Sequence, residues 1–138
     1  MSLQSQEDWL LIICSDTIVV MDEKIYEKPA DKEDAFRILK LLSGRSHMVY
    51  SGVTLVKKTK ESSLQWHSFY EGSEVRMAEL SDEVIKAYIE TGEPLDKAGG
   101  YGIQDLGATL VHSINGDFFN VEGFPAYKFS IELKKFLQ

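Results

Sequence analysis

The sequence has a single cysteine, few prolines and no long apolar run. Cys14 cannot form an internal disulfide, so nothing indicates an oxidising compartment. The segment 1–8 is polar and acidic and does not resemble a signal peptide. The apolar run 10–13 is far too short to cross a bilayer. We therefore predict a cytoplasmic protein with no membrane partner.

Positive charge is also scarce. The chain has 15 lysines and arginines against 22 aspartates and glutamates, which gives a formal net charge of -7. This balance argues against a partner that is a nucleic acid polymer. It allows a small phosphorylated ligand, because a few local cations can outweigh a distant acidic surface. The length of 138 residues, 43% of them hydrophobic, predicts one domain, 1–138, in which 1–7 form a disordered or non-native tail.

Several catalytic motifs are missing. His47, His67 and His112 show no metal-ligand spacing, which argues against a zinc site. There is no Gly-x-Ser-x-Gly elbow, no Walker A motif and no Gly-x-Gly-x-x-Gly after a strand. Serine hydrolases, P-loop enzymes and Rossmann oxidoreductases are therefore disfavoured. Cys14, within an apolar strand, is interpreted as a core residue rather than a nucleophile.

Hydrophobic periodicity predicts an α/β domain. The apolar run in the first strand is typical of a central strand that is buried on both faces. Asp31 suits a helix N-cap, and Gly44 is placed to end that helix. The predicted strands are 9–20, 25–26, 48–56, 66–77 and 108–114, the predicted helices are 31–42, 81–92 and 125–137, and 57–63 is a predicted polar connection.

The segment 93–104 is the most unusual part of the chain. Its twelve residues, EPLDKAGGYGIQ, include two carboxylates, one lysine, one proline, three glycines and one glutamine. Glycine lets a backbone approach a ligand closely, and a lysine beside carboxylates suits an anionic ligand or a metal–phosphate complex. A long solvated connection is the alternative, because glycine, proline and aspartate are common there as well.

Two further residues are candidates for chemistry. Asp16 interrupts an apolar strand, where an ionised carboxylate is costly unless it is paired or bound to a cation. It could hold Mg²⁺ or activate a water, or the strand could leave the sheet there so that Asp16 caps a turn. Lys28 precedes Pro29, which would hold it extended and aimed at a site; a solvated surface lysine is the alternative.

The loop 43–47 could contact phosphate through its arginine and histidine, or could be an ordinary helix stop.

Taken together, these segments resemble the Maf family of nucleotide pyrophosphatases. The resemblance covers nearly all of 8–138 and is closest to the Maf half of the acetylserotonin O-methyltransferase-like proteins. The Glu-Pro-Leu-Asp-Lys-Ala-Gly run is its most specific part. The matching segments are SDTIV at 15–19, EKP at 27–29, LSGRSH at 42–47, SGV at 51–53, GEPLDKAGGYGIQ at 92–104, NGDFFNV at 115–121 and GFP at 123–125.

The resemblance implies an α/β fold of the Maf/ITPase-like type, in which helices flank a mixed β-sheet. It also implies hydrolysis of a nucleoside triphosphate, such as dTTP, UTP or a modified nucleotide, to the monophosphate and pyrophosphate. The implied cofactor is a divalent metal cation, Mg²⁺ or Mn²⁺, and the implied assembly is a homodimer.

Site residues follow from the same resemblance. Asp16 would be the general base or a metal-binding carboxylate, and Lys28 and Lys97 would meet the phosphates. Thr17 and Gln104 match positions that help choose a pyrimidine base. The remaining implied residues are Gly99 for substrate binding and, as weaker candidates for metal or water positioning, Glu93 and Asp96.

The sequence departs from the family pattern at its start. A strand and a Ser-x-Ser-Pro-Arg-Arg-like loop normally come well before the Ser-Asp-Thr segment, and only seven residues precede Asp8. We therefore expect an N-terminally truncated Maf-like domain, whose activity is weak or absent. The alternatives are a domain that binds nucleotide or a partner without turnover, and a chain that does not fold by itself.

Overall fold

A five-stranded antiparallel sheet forms the centre of the molecule. The computed structural model describes residues 8–61 and 63–138, and in this part of the chain the strand order is β2-β1-β3-β4-β5 with every pairing antiparallel. The prediction of an α/β domain is confirmed. The strands are β1 (Trp9–Met21), β2 (Lys24–Tyr26), β3 (Ser46–Thr59), β4 (Leu64–Met77) and β5 (Val111–Asn115).

Within the described residues, four α-helices and three short 3₁₀ helices connect and flank the strands. The second and third α-helices begin at residues that suit an N-cap: the side chain of Ser81 caps α2, and that of Asp117 caps α3. The helices are α1 (Lys32–Leu42), α2 (Asp82–Glu90), α3 (Phe118–Glu122) and α4 (Ala126–Leu137), with 3₁₀ helices at Glu93–Asp96, Ala98–Gly100 and Leu106–Leu110.

The first helix shows how sequence dictates local structure here. The side chain of Asp31 accepts the N–H of Asp34, as an N-cap should, and Gly44 takes a left-handed φ of 68° just past the end. One face of the helix is fully buried against the sheet and against α2, because apolar residues recur at helical spacing. This apolar stripe consists of Ala35, Ile38, Leu39 and Leu42.

The core lies between one face of the sheet and helices α1 and α2. Alternation along the strands turns Val19, Val49 and Val75 toward these helices. Ile85 and Ile89 meet them from α2. The site described below sits at the edge of this core, where the segment that follows α2 crosses the sheet.

Three sequence predictions need correction. The segment 57–63 was predicted as a connection, but β3 continues to Thr59 and β4 begins at Leu64, because pairing across a long hairpin overrides the polar composition. Residues 106–110 form a 3₁₀ helix, so that β5 begins only at Val111. Helix α3 has no counterpart in the prediction, since five residues are too few for a periodic signal.

The first strand is also less buried than predicted. Trp9 and Leu10 are 44% and 56% exposed, and Cys14 is exposed rather than part of the core. The reason is topological: β2 pairs only with the end of β1, and the helices pack farther along the sheet. The predicted tail, 1–7, lies outside the described residues. Among the described residues, no helix is both long enough and apolar enough to cross a membrane.

The packing of α1 generates a stability prediction. Leu39→Ala should lower the free energy of unfolding by about 2–5 kcal/mol, because the fully buried side chain leaves a cavity between α1 and the sheet. Leu41→Ala is the matched control on the same helix; Leu41 is 37% exposed, and its loss should be roughly 1 kcal/mol or less. Urea denaturation of both variants measures the difference, and equal losses would contradict this account of the core.

Candidate functional site

Strand β1 carries two adjacent candidate residues through the sheet without interruption. Asp16 pairs with Gly52 and Thr17 pairs with Ser51 on β3. The alternative in which the strand leaves the sheet at Asp16 is therefore wrong. Because side chains alternate along a strand, Asp16 and Thr17 point to opposite faces. Asp16 is exposed to solvent, whereas Thr17 is half-buried on the core side.

Asp16 and Lys28 face the same cavity. Both residues line a cavity of about 330 Å³, together with Thr17 and Ala98. One oxygen of Asp16 accepts the N–H of Thr17 at 2.9 Å, which fixes the orientation of the carboxylate. Pro29 is buried next to Lys28, so the backbone that carries this lysine is anchored while its side chain stays exposed. This cavity joins a carboxylate with a cation, as phosphate chemistry requires.

A second cavity, of about 220 Å³, adjoins the first. It is lined by Thr17, Lys97, Ala98 and Gln104, with α3 and the residue after it forming the opposite wall. Thr17 and Ala98 line both cavities. The structure therefore brings six of the predicted site residues, Asp16, Thr17, Lys28, Asp96, Lys97 and Gln104, from three separate parts of the sequence, to two adjoining cavities.

The unusual segment after α2 is folded around one carboxylate. Glu93 Oε1 accepts the hydroxyl of Tyr88 at 2.6 Å and the N–H of Gly107 at 2.9 Å. Its Oε2 accepts the N–H of Leu106 at 3.2 Å. The hydroxyl oxygen of Tyr88 in turn accepts the N–H of Gly102 at 3.2 Å. Glu93 thus binds backbone groups of the loop and lines neither cavity.

Glycine is required at two points of this loop. A Cβ at Gly102 would lie 2.4 Å from Cε of Lys97, so the lysine stem lies directly across the backbone there. Gly99 has a φ of 71°, and a Cβ there would lie 2.8 Å from Val19, which brings the loop against β1. Gly99 lines neither of the two cavities. Its role in substrate binding stays a prediction.

Lys97 is held between two carboxylates. Its Nζ lies 3.5 Å from Asp96 Oδ1 and 3.8 Å from Asp105 Oδ2, and its side chain is 25% exposed. These separations are at the long end for ion pairs, so the ammonium keeps its charge available to an anion entering the cavity. Of its two carboxylate neighbours, Asp96 also lines that cavity, at the exposed rim.

A buried polar network holds α3 onto the sheet. Asn120 is fully buried; its Nδ2 donates to the Val49 carbonyl and to Ser73 Oγ, both at 3.0 Å. Ser51 Oγ lies 3.0 Å from the Asn120 carbonyl and 2.7 Å from Thr17 Oγ1. The candidate residue Thr17 is thus tied to α3. Sequence analysis missed this role, and the only signal was an asparagine between aromatic and apolar residues.

The loop 43–47, a weaker candidate, serves structure instead. Arg45 pairs with Asp22 through two hydrogen bonds of 2.8 Å. His47 is buried, and its Nε2 lies 2.6 Å from the hydroxyl of Tyr101. Burial lowers the pKa of His47 to about 4 and raises the pKa of Tyr101, so both groups are neutral at pH 7. This pair joins β3 to the loop that carries Gln104.

The predicted metal residues lie apart in the structure. Within 8–61 and 63–138, no three histidine, cysteine or carboxylate side chains are close enough together to hold a metal ion. Asp16 suits Mg²⁺ chemically, because that ion commonly takes one or two protein carboxylates and completes its shell with water and substrate phosphates. The metal role of Asp16, Glu93 and Asp96 stays a prediction.

Comparison with known proteins decides the family. A family model described as Maf-like protein matches residues 2–136. The chain belongs to the Maf family. This Maf chain is 47% identical over 125 residues to a protein of Clostridium beijerinckii named dTTP/UTP pyrophosphatase, a match that covers 91% of this chain and 65% of that protein.

Two further relatives show the same similarity. A protein of Thermosipho africanus, also named dTTP/UTP pyrophosphatase, is 48% identical over 118 residues, which is 86% of this chain and 59% of that protein. A human protein named "Probable bifunctional dTTP/UTP pyrophosphatase/methyltransferase protein" is 48% identical over 128 residues, covering 91% of this chain and 21% of that protein. The Maf chain thus spans less than two thirds of the length of each of these curated relatives.

The Asn120 network generates a second prediction. Asn120→Ala should lower the free energy of unfolding by about 2–3 kcal/mol, because a buried carbonyl and hydroxyl lose their partner. Asn115→Ala, at an exposed position of β5, is the matched control and should change stability by about 0.5 kcal/mol or less. Urea denaturation measures both. A loss at Asn120 no larger than that at Asn115 would refute the anchoring role.

Burial of His47 predicts a pH dependence of stability. Its pKa falls from 6.5 to about 4 on folding, so between these values the unfolded chain binds the proton and the folded chain does not. The free energy of unfolding should therefore fall as the pH is lowered through this window, by up to about 3 kcal/mol. His47→Gln should remove this part of the slope, measured by urea denaturation between pH 7 and pH 4. His112→Gln, at an exposed position, should retain it, and equal slopes in both variants would contradict the assignment.

Proposed function

We propose that this chain hydrolyses dTTP, UTP or related pyrimidine nucleoside triphosphates to the monophosphate and pyrophosphate. The main support for this proposal is the arrangement of two adjoining cavities, which share Thr17 and Ala98. These cavities are lined by Asp16, Lys28 and Lys97. The names of the relatives support the same reaction and the same substrates.

The residue types match the demands of the reaction. Several negative charges on a triphosphate resist attack of water at the α-phosphorus. Lys28 and Lys97 neutralise charge on the phosphates, from the two sides of the shared boundary between the cavities. Asp16 is exposed and oriented by the N–H of Thr17, so its other oxygen can orient or deprotonate a water.

A divalent cation fits this arrangement. Asp16 would hold it together with oxygens of the substrate, since the described residues provide no closed set of three ligands. When bound, Mg²⁺ or Mn²⁺ supplies charge neutralisation at the phosphates. Orientation of the water and recognition of the base depend on the residues of the chain itself.

Hydrogen-bond accounting at Thr17 favours a uracil or thymine ring. The Thr17 and Ser51 hydroxyls have two protons for three internal contacts: one with each other, one to the Gly123 carbonyl and one to the Asn120 carbonyl. When both protons are used in these contacts, the Thr17 hydroxyl donates to Ser51 or to the Gly123 carbonyl. Its oxygen can then only accept a hydrogen bond from a ligand. Uracil and thymine present an N3–H donor, whereas the corresponding nitrogen of cytosine is an acceptor. Gln104, exposed at the same cavity, can supply both a donor and an acceptor.

Other expectations accompany this proposal. A bifunctional human relative with a methyltransferase in its name supports the likeness to acetylserotonin O-methyltransferase-like proteins. The N-terminal truncation, the homodimer and the cytoplasmic location stay predictions. The binding of a nucleotide without turnover is the competing function, and the experiment below separates it from catalysis.

The decisive experiment measures pyrophosphate release by this chain from dTTP, UTP, dCTP and CTP with Mg²⁺ or Mn²⁺. We expect turnover of dTTP and UTP in preference to the cytosine nucleotides. In ¹⁸O-labelled water the label should enter the monophosphate, because attack is at the α-phosphorus. Asp16→Asn should lower kcat by on the order of a hundredfold or more, since the general base is lost.

Asp82→Asn serves as the control, because it removes an exposed carboxylate that pairs with Lys40 at the surface and lines neither cavity. Its activity should equal that of the unmodified chain. Label in the pyrophosphate, or full activity of Asp16→Asn, would overturn the proposed chemistry. No turnover combined with a rise in the melting temperature on adding dTTP would establish binding without catalysis.

A further inference from the structure

We propose that Glu93 and Tyr88 are positioning residues, which act together as a clasp that fixes Lys97 and Gln104 at the site. This inference rests on the proposed function, because it takes Lys97 and Gln104 as the residues that contact the nucleotide. It assigns Glu93 a role different from the metal ligation that the family resemblance implies. We define the clasp as Glu93, Tyr88 and the three backbone N–H groups that they bind.

Most of the hydrogen-bonding capacity of the Glu93 carboxylate is used by contacts within the protein. Its Oε1 accepts from Tyr88 and Gly107, and its Oε2 accepts from Leu106. Three of the four lone-pair positions of the carboxylate are therefore used. A metal ion that took this carboxylate into its shell would compete with these donors and with the loop conformation that they hold.

Tyr88 is a reliable donor in this arrangement. Burial and the adjacent Glu93 carboxylate raise the pKa of Tyr88, so the phenol keeps its proton throughout the ordinary pH range. The hydroxyl donates to Glu93 and accepts from Gly102, using one proton and one lone pair. A hydrogen bond from a neutral donor to a charged acceptor is stronger than one between neutral groups.

The clasp closes the loop 93–107 into a ring. Its start is Glu93, its end is held by the N–H groups of Leu106 and Gly107, and its middle is held at Gly102 through Tyr88. The backbones come very close, since a Cβ at Gly107 would lie 2.3 Å from the Gly102 carbonyl oxygen and 2.7 Å from the Tyr88 hydroxyl. Only glycine permits this approach.

Both site residues of the loop depend on the ring. The stem of Lys97 lies across Gly102, the residue whose N–H the Tyr88 hydroxyl binds. Gln104 lies two residues beyond Gly102 and two before Leu106, between two held points. If the clasp is opened, both side chains lose their fixed position although neither is altered. A displacement of about 1 Å in such a group can reduce activity by on the order of a hundredfold.

The test compares Glu93→Gln, Glu93→Ala and Tyr88→Phe with the control Glu90→Gln. Glu90 is an exposed residue of α2 that pairs with Lys32 at the surface. The first measurement is amide hydrogen exchange of the nucleotide-free protein. We expect faster exchange over 97–107 in all three clasp variants, least in Glu93→Gln, which keeps an acceptor oxygen, and no change in the control. Unchanged exchange in Glu93→Ala would overturn the proposal, whether or not the chain turns over nucleotide.

The second measurement is kcat/KM for dTTP below the melting temperature of each variant. Glu93→Ala should lower it by on the order of tenfold to a hundredfold. In a Lys97→Met background the same change should cost less, because one of the two residues through which it acts is already gone. Equal losses in both backgrounds would overturn the proposal.

The third measurement is Mn²⁺ binding by nucleotide-free protein, followed by electron paramagnetic resonance. The clasp predicts equal affinity for Glu93→Gln and Glu90→Gln. A tenfold weaker affinity in Glu93→Gln alone would identify Glu93 as a metal ligand and overturn the proposal. Failure of the proposed function appears separately, as an absence of turnover in the unmodified chain.

Discussion

The register between β1 and β3 is the constraint on which the rest of the site depends. Pairing runs from Trp9 opposite Thr59 to Val20 opposite Met48, and it places Thr17 beside Ser51. A slip of one residue would exchange the two faces, so that Asp16 would enter the polar network and Thr17 would face solvent. Val19, fully buried two residues beyond Thr17, opposes such a slip, because it would leave the core. Burial of Val19 thus fixes the register that places Asp16 and Thr17 on their respective faces.

Polar side chains, in addition to apolar contacts, hold α3 and the segment after α2 in place. Asn120 fixes α3 to the sheet, and Glu93 fixes the segment after α2. Both side chains bind backbone groups, so they determine the backbone conformation of these segments as well as their distance from the sheet. Helix α3 has only five residues and the 3₁₀ helices have five or fewer, so their own hydrogen bonds cannot define a single conformation. The hydrogen bonds of Asn120 and Glu93 to backbone groups supply the missing specificity.

Much of the fold could be predicted from sequence because its signals are local. The cap at Asp31, the stop at Gly44 and the apolar stripe between them identify α1 within a residue of its observed bounds. The hairpin of β3 and β4 could not be delimited, since its lysine-rich end is set by cross-strand pairing. Asp16, Thr17, Lys28, Lys97 and Gln104 were identified as candidates by motif, and the structure brings them together. The supporting contacts of Asn120 and Glu93 escaped prediction, although Glu93 was a candidate for metal or water positioning, because their partners, Val49 and Gly107, are 71 and 14 positions away.

The division of β1 between two faces also explains how one strand can serve two chemical tasks. Asp16 is exposed, so the oxygen that does not bind the N–H of Thr17 is accessible to water. Thr17 lies beside two internal acceptors, Ser51 Oγ and the Gly123 carbonyl, which compete with any ligand for its single proton. A hydroxyl in solvent could rotate to serve either kind of base edge and would discriminate poorly. The same alternation that exposes the carboxylate therefore gives its neighbour the restricted hydrogen-bonding on which the proposed selection between pyrimidines rests.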